Sequence, residues 1–116
     1  MCLVYLLRSK QRPSLSYVGY TTRSVHERLK EHNGFARNKY SNRGRPWELV
    51  CTVKFTSRHE AICFERKVKY QKNKSGLYKS RETRKCYLGV IGRIKKIKAL
   101  CKEEGIEDNL SLFETT

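Results

Sequence analysis

Two short apolar segments near the N-terminus limit how this chain can fold. Residues 2–8 and 15–20 are both rich in β-forming side chains, and a polar stretch containing Pro13 separates them. This pattern predicts an antiparallel hairpin. Because side chains alternate along a strand, each strand should have one face that carries its tyrosine. The residues expected to share these faces are Leu3, Tyr5 and Leu7 on the first strand and Tyr17 and Gly19 on the second.

Two capping boxes mark the starts of the first two helices. Ser24-Val25-His26-Glu27 and Ser57-Arg58-His59-Glu60 each place a hydroxyl and a carboxylate where they can bind otherwise unpaired backbone N–H groups. Gly34 is expected to end the first helix. At about 100° per residue, Arg28 and His32 fall on the apolar face of that helix, so both should face the sheet.

The remaining elements complete the predicted architecture. A third strand is expected over residues 47–55, and a third helix from about residue 83 or 85 to residue 104. The fold class is therefore α/β (α+β), with a small three-stranded antiparallel sheet flanked by helices in the order β-β-α-β-α-α. We predict a core over 1–80, a basic C-terminal helix packed on it over 81–104, and a flexible acidic tail over 105–116.

The charge of the chain is large and unevenly distributed. The formal net charge is +15, and residues 65–102 carry fourteen Lys or Arg against two acids, whereas residues 103–116 carry five acids and no base. A field this positive favours a polyanionic partner, which inside cells is most often nucleic acid. We therefore expect DNA as a partner.

Cysteine usage and hydropathy indicate the compartment. The five cysteines are widely spaced and form no Cys-x-x-Cys pair, which argues against a disulfide framework or a zinc site. They are expected to be small buried hydrophobic residues in a reducing environment. No apolar run approaches the roughly 20 residues that span a bilayer. We expect an intracellular protein of the cytoplasm or nucleus without a membrane partner.

One acidic residue interrupts an apolar helix face. On the second helix, Glu65 lies among Ala61, Ile62, Phe64 and Val68. Burying such a carboxylate without a partner costs several kcal/mol. A lone carboxylate can hold one Mg²⁺ ion, which prefers oxygen ligands and keeps most of its waters. Glu65 is therefore expected to bind a metal ion or another ligand, and it is suited to Mg²⁺ (or Mn²⁺).

Taken in order, these residues resemble a known family. Leu3-Val4-Tyr5, Tyr17-Val18-Gly19, Arg28 with His32 and the helical Glu65 are similar to the motifs of the GIY-YIG nuclease domain. The resemblance is greatest to small stand-alone members and to the catalytic domain of the flap and Holliday-junction nuclease subunit. Two departures are Leu3, where the family usually has glycine, and the cysteines, which do not supply the zinc-binding RING-type module of that subunit. The resemblance therefore implies the chemistry of the family for this chain but not its specificity for DNA junctions.

The resemblance implies an active site. Tyr5 is favoured as the general base and Tyr17 as the residue that positions water or phosphate, and the reverse assignment stays open. Arg28 offers a bidentate fork for the phosphoryl oxygens, and His32 supports a tyrosine or a phosphate oxygen as acid or base. Contacts to the DNA backbone are predicted for Arg37, Lys39, Arg43, Arg45, Lys69 and Lys72.

The leading prediction is a divalent-metal-dependent endonuclease that hydrolyses DNA phosphodiester bonds. A module this small has little room to read bases, so recognition by structure or charge is expected, in repair, recombination or a mobile or viral element. The rival hypothesis is a non-catalytic basic nucleic-acid-binding module that retains the fold. A third is an accessory subunit that a targeting or regulatory protein partner directs. The cost of burying Glu65 favours the enzyme.

Overall fold

The computed structural model describes residues 2–11, 15–34, 46–69 and 89–113. Within these ranges the helices and strands follow in the predicted order, and a further short strand is added at the end. They are β1 (Cys2–Ser9), β2 (Ser16–Thr21), α1 (Val25–Asn33), β3 (Trp47–Phe55), α2 (Arg58–Lys69), α3 (Gly89–Glu104), a 3-10 turn (Glu107–Asn109) and β4 (Leu110–Leu112).

The sheet has four strands rather than the three predicted. All neighbours are antiparallel, in the order β2-β1-β3-β4, so the predicted hairpin of β1 and β2 is confirmed. The added strand β4 pairs with β3 through Cys51 to Val53. A strand of three residues is too short for an alternating pattern to be recognised in the sequence. It lies within the segment that we expected to be a flexible acidic tail.

Local capping explains where the helices begin and end. Ser24 Oγ accepts from the backbone N–H of His26 over 3.2 Å, and Ser57 Oγ accepts from the N–H of Glu60 over 3.1 Å. At the end of α3, Gly105 adopts a φ of 70° that favours glycine. The next N–H, of Ile106, then reaches back to the carbonyl of Cys101 over 2.8 Å, which closes the helix.

Two apolar clusters form the core, and β1 supplies both of them. Alternate residues Val4 and Leu6 belong to the larger cluster, whereas Tyr5 and Leu7 belong to the smaller one. The larger cluster joins the sheet to α2 and α3, and the smaller one joins it to α1 through Val25. The C-terminal helix α3 thus packs on the core.

The side chain of Asn33 connects the end of α1 to the start of β3. Its amide nitrogen donates to the carbonyl oxygen of Trp47 over 3.1 Å, and its oxygen accepts from the Trp47 backbone N–H. One side chain therefore satisfies both polar groups of a strand residue. This pair of hydrogen bonds sets the position of the neighbouring His32 relative to the sheet.

Other contacts anchor the C-terminal helix. Arg93 Nη1 donates to the Ser16 carbonyl oxygen over 3.2 Å and to Ser16 Oγ over 2.8 Å, so α3 is tied to the first residue of β2.

Among the described residues four cysteines are free, and three of them are buried, as expected for small apolar side chains. None of the described helices is both long and apolar enough to cross a membrane.

Candidate active site

The paired strands β1 and β2 bring the two tyrosines together. Tyr5 lies opposite Gly19 in the ladder, and the ring centroids of Tyr5 and Tyr17 are 6.3 Å apart. A Cβ atom on Gly19 would lie 2.6 Å from the Tyr5 hydroxyl oxygen and 2.8 Å from its ring carbon Cζ. Only glycine therefore lets the Tyr5 phenol lie across β2.

Helix α1 places an imidazole behind the Tyr5 phenol. The Tyr5 hydroxyl oxygen is 2.9 Å from His32 Nε2, and both side chains are buried. The ring of Tyr17 packs against the same imidazole, with centroids 4.5 Å apart. His32 Nδ1 is buried without a hydrogen-bond partner among the described residues. The imidazole therefore makes its one observed polar contact with the phenol.

Burial sets the protonation states of this pair. It raises the pKa of Tyr5 to about 12, with a further increase from Tyr17 and an opposing effect of Arg28. Burial, together with the charge of Arg28, lowers the pKa of His32 to about 4. At neutral pH the free protein thus holds a neutral phenol against a neutral imidazole, whose Nε2 can accept the phenol proton as the phenol takes another proton from water.

Arg28 interacts with two neighbouring side chains. Its positive charge opposes the increase that burial causes in the pKa of Tyr5, and its Nη1 donates to Glu31 Oε2 over 2.6 Å, one helical turn away. The other carboxylate oxygen of Glu31 accepts from Arg23. A planar guanidinium with several N–H donors in a fixed fork can bind Glu31 and still contact a phosphate.

Glu65 reaches the same region from α2. Its side chain is 13% exposed, and its Oε1 lies 2.6 Å from Lys69 Nζ. The Lys69 ammonium in turn sits 5.9 Å from the centroid of the Tyr17 ring. The ammonium offsets the cost of burying the carboxylate, which we had expected a metal ion to do.

The donor set at Glu65 fits a magnesium ion bound mostly through water. Among the described residues that line the site, Glu65 is the only carboxylate, and no cluster of three His, Cys, Asp or Glu side chains could form an all-protein metal cage within the described ranges. Mg²⁺ commonly takes one or two carboxylates and keeps several waters. Glu65 could supply one such carboxylate if Lys69 moved away from Oε1.

The functional side chains converge on one cavity of about 420 Å³, which we call the tyrosine cavity. Four of the five predicted catalytic residues line it, namely Tyr5, Tyr17, Arg28 and Glu65. The fifth, His32, lies behind Tyr5 and contacts it directly. Lys69, predicted to bind DNA, contacts Glu65 and Tyr17 at this site. The other predicted DNA contacts, Arg37, Lys39, Arg43, Arg45 and Lys72, lie outside the described residues.

Sequence reasoning missed the other half of the cavity wall. Besides Gly19 of the second tyrosine motif, the additional lining residues are Tyr20, Thr21, Thr22, Arg23 and Arg58. Arg58 approaches Tyr20, donating to its hydroxyl over 3.3 Å. The signal that could have indicated them is position: they follow the second tyrosine motif or open α2, next to residues already selected. In a chain this basic, two more arginines did not stand out.

Comparison with known proteins agrees with this geometry. A model of the GIY-YIG catalytic domain matches residues 1–89. Structure-specific endonuclease subunit slx1 of Talaromyces stipitatus is 48% identical over 66 residues, which cover 53% of this chain and 17% of the relative. The protein of that name from Debaryomyces hansenii is 41% identical over 68 residues, covering 53% and 19%. A homologue in Leishmania infantum is 43% identical over 68 residues, covering 53% and 10%.

The chain thus spans less than a fifth of the length of these relatives. The family match, in contrast, covers most of the 116 residues and includes both tyrosines, Arg28, His32 and Glu65. The prediction of a GIY-YIG-type enzyme is confirmed. The chain belongs to the GIY-YIG family and carries its catalytic domain.

Proposed function

We propose that this protein is a divalent-metal-dependent endonuclease that hydrolyses phosphodiester bonds in DNA and is guided by the structure or charge of the DNA rather than its sequence. The observation that carries the proposal is the convergence of two phenols, a guanidinium and a carboxylate on the tyrosine cavity. Phosphodiester hydrolysis needs a proton acceptor for water, positive charge at the phosphoryl oxygens and help for the leaving oxygen. The cavity offers a candidate for each.

The proton acceptor is assigned to Tyr5. The attacking water gives its proton to the Tyr5 oxygen, while the Tyr5 hydroxyl proton passes to His32 Nε2, 2.9 Å away. A bound phosphate would offset the charge of Arg28, which is one cause of the low pKa of His32. Substrate binding therefore makes the imidazole a better acceptor at the moment when it is needed.

Arg28 is assigned to the phosphoryl oxygens. Its guanidinium lines the cavity together with Tyr5 and is hydrogen-bonded to Glu31, so it is oriented before substrate arrives. Hydroxide forms a bond to phosphorus, the bond from phosphorus to the 3′ oxygen breaks, and the 3′ oxygen takes a proton from solvent. Charge that develops on the phosphoryl oxygens meets a fixed cation.

Glu65 is assigned to the metal ion, Mg²⁺ or Mn²⁺. When bound, the ion would supply Lewis-acid stabilisation of the phosphoryl group and of the leaving oxygen. Glu65 and its water shell would hold it, and Lys69 would move away from Oε1 to make room. The exchange would replace the monovalent ammonium beside the carboxylate with a divalent cation.

The biological setting is proposed from the relatives. Their printed names describe structure-specific endonuclease subunits. We infer a role in DNA repair or recombination for this chain, together with a protein partner that directs or regulates it. The excess of basic residues in 65–102 supports a grip on the DNA backbone that is independent of sequence.

A plasmid-nicking assay tests this function. Wild-type protein is expected to nick supercoiled DNA with Mg²⁺ and to stop when a chelator is added. Glu65→Gln keeps the size of the side chain and removes its charge, so cleavage should fall by about 10³ or more, while DNA affinity is kept or increases.

Three measurements on the wild type and on Glu65→Gln separate the hypotheses: nicking rate, DNA affinity and thermal midpoint. A variant that folds and binds DNA but does not cut supports the assignment. A wild-type protein that binds DNA without cutting, under any divalent metal, would favour the non-catalytic binding module. A Glu65→Gln variant that cuts at the wild-type rate would remove the metal assignment.

A further inference from the structure

The rim of the tyrosine cavity carries an arginine that the proposed reaction does not use. Arg23 lies between β2 and α1 and lines the cavity together with Arg28. Its backbone N–H donates to Thr21 Oγ1 over 3.0 Å, which closes a short turn at the end of β2. The turn determines where the Arg23 side chain leaves the main chain.

Glu31 joins this arginine to Arg28. One oxygen of its carboxylate accepts from Arg23 Nη2, and the other accepts from Arg28 Nη1 over 2.6 Å. The hydrogen bond from Arg23 is the largest cause of a lowered pKa of Glu31. The carboxylate is therefore ionised at neutral pH, and it holds two guanidinium groups beside each other at the cavity rim.

Both arginines keep N–H donors for a second anion. The bonds to Glu31 engage one terminal nitrogen of each guanidinium, and the planar group has further donors on its other nitrogens. Three guanidinium groups, those of Arg23, Arg28 and Arg58, line the cavity with a single carboxylate among the described residues. A single phosphodiester leaves this excess of positive charge incompletely neutralised.

We propose that Arg23 contacts a second phosphate, the neighbour of the scissile phosphate along the same strand, and that Glu31 is the positioning residue that sets the two guanidinium groups relative to each other. This inference rests on the proposed function, because it takes the scissile phosphate to be bound at Arg28. The ligand class is then a nucleic-acid strand with at least two successive phosphodiesters. Cuts inside a strand are favoured over removal of a terminal nucleotide.

The test uses short DNA strands in which one phosphate beside the cut is replaced by an uncharged methylphosphonate. The wild type is compared with Arg23→Gln and with Lys54→Gln, which also removes one positive charge but from an exposed β3 residue that does not line the cavity. For the wild type, a neutral linkage on one side of the cut should reduce kcat/KM about tenfold.

On the unmodified strand, kcat/KM of Arg23→Gln should be about tenfold lower than that of the wild type. The neutral linkage should not lower kcat/KM of this variant any further. Lys54→Gln should keep the wild-type pattern. The proposal is overturned if Arg23→Gln keeps the full wild-type sensitivity to neutral linkages on both sides of the cut, or if the wild type is insensitive to them on both sides. Thermal midpoints of all three proteins check that the comparison is between folded molecules.

Glu31→Gln tests the positioning role. Removing an anion beside the two phosphates should leave KM unchanged or lower it, whereas kcat should fall about tenfold because the arginines lose their shared carboxylate. A merely structural role would lower the thermal midpoint without this separation of kcat from KM. Unchanged kcat in the folded variant would overturn the role of Glu31.

The two proposals fail in different ways. If the wild type cuts none of the strands, the proposed function fails. The second-phosphate contact is then decided by the affinity of the same strands. It stands if the neutral linkage weakens binding to the wild type and to Lys54→Gln but not to Arg23→Gln, and it falls if all three respond alike.

Discussion

The two sides of the central sheet bury different kinds of side chain. The larger cluster, toward α2 and α3, is built from aliphatic, phenylalanine and cysteine side chains, whereas the smaller cluster includes Tyr5 and Trp47 and adjoins the buried His32. Strand β1 alternates between the two. Alternate residues of one strand can therefore contribute to stability on one face of the sheet and to chemistry on the other. A substitution in β1 should mainly affect the property that belongs to the face on which its side chain lies.

The largest effect is expected from Leu6→Ala, on the side that we assign to stability. Leu6 is fully buried in the larger cluster. Removing its side chain should lower the free energy of unfolding by about 3–5 kcal/mol, because transfer energy and packing are both lost. Chemical denaturation measures this. At a temperature where the variant is folded, its nicking rate should stay within a few-fold of the wild type, and a loss comparable to that of an active-site variant would contradict the division.

The neighbouring position should behave in the opposite way. Tyr5→Phe removes one hydroxyl and should reduce cleavage by about 10² or more, about 3 kcal/mol in activation free energy, while the protein stays folded. Tyr17→Phe should cause a comparable or smaller loss. The nicking rates of the two variants decide between the assignments: a much larger loss for Tyr17→Phe would exchange the roles of the phenols.

Gly19→Ala probes the contact between the strands. The added methyl group would lie 2.6 Å from the Tyr5 hydroxyl oxygen, so the buried phenol must shift. A displacement of about 1 Å at a reacting group can cost about 10² in rate. Gly34→Ala, whose methyl group would meet its nearest atom at 3.3 Å, is the matched control. Equal nicking rates for Gly19→Ala and the wild type would mean that the Tyr5 position does not matter.

The last expected effect, spread over more than two pH units, is a pH dependence of stability. The pKa of His32 falls from 6.5 in the unfolded chain to about 4 in the folded one, so the unfolded state binds more protons between these values. Stability from this group is complete above pH 6.5 and is lost as the pH falls toward 4, by about 3 kcal/mol. Denaturation midpoints of wild type and His32→Gln across that range should show a shallower slope for the variant. Parallel slopes would refute the buried neutral imidazole.

Local sequence patterns were sufficient for most of the fold. The hairpin follows from two β-prone runs and a turn, and both helix starts follow from Ser24 and Ser57, which the structure confirms as capping residues. Strand β4 could not be predicted because it forms by pairing with β3, which is distant from it in the sequence. Three residues between acidic neighbours carry too little periodicity to indicate it.

The residues of the site could be predicted from the sequence, but most of the contacts between them could not. The order of motifs selected Tyr5, Tyr17, Arg28, His32 and Glu65, and the structure brings them together. The contacts between them depend on tertiary geometry. The bridge from Glu31 to Arg23 joins residues eight positions apart, outside the spacing at which helical neighbours meet. The pairing of Glu65 with Lys69 has the i,i+4 spacing of a helix, so this contact was predictable from the sequence.

The double hydrogen bond between Asn33 and Trp47 joins the end of α1 to the start of β3, one residue after His32. The imidazole behind the Tyr5 phenol is thus held next to a side chain that takes no part in the proposed reaction. An aspartate at this position would offer only acceptors, so the bond to the Trp47 carbonyl oxygen would be lost. Inherited variation at position 33 would therefore change the rate of cleavage while every catalytic residue stays the same.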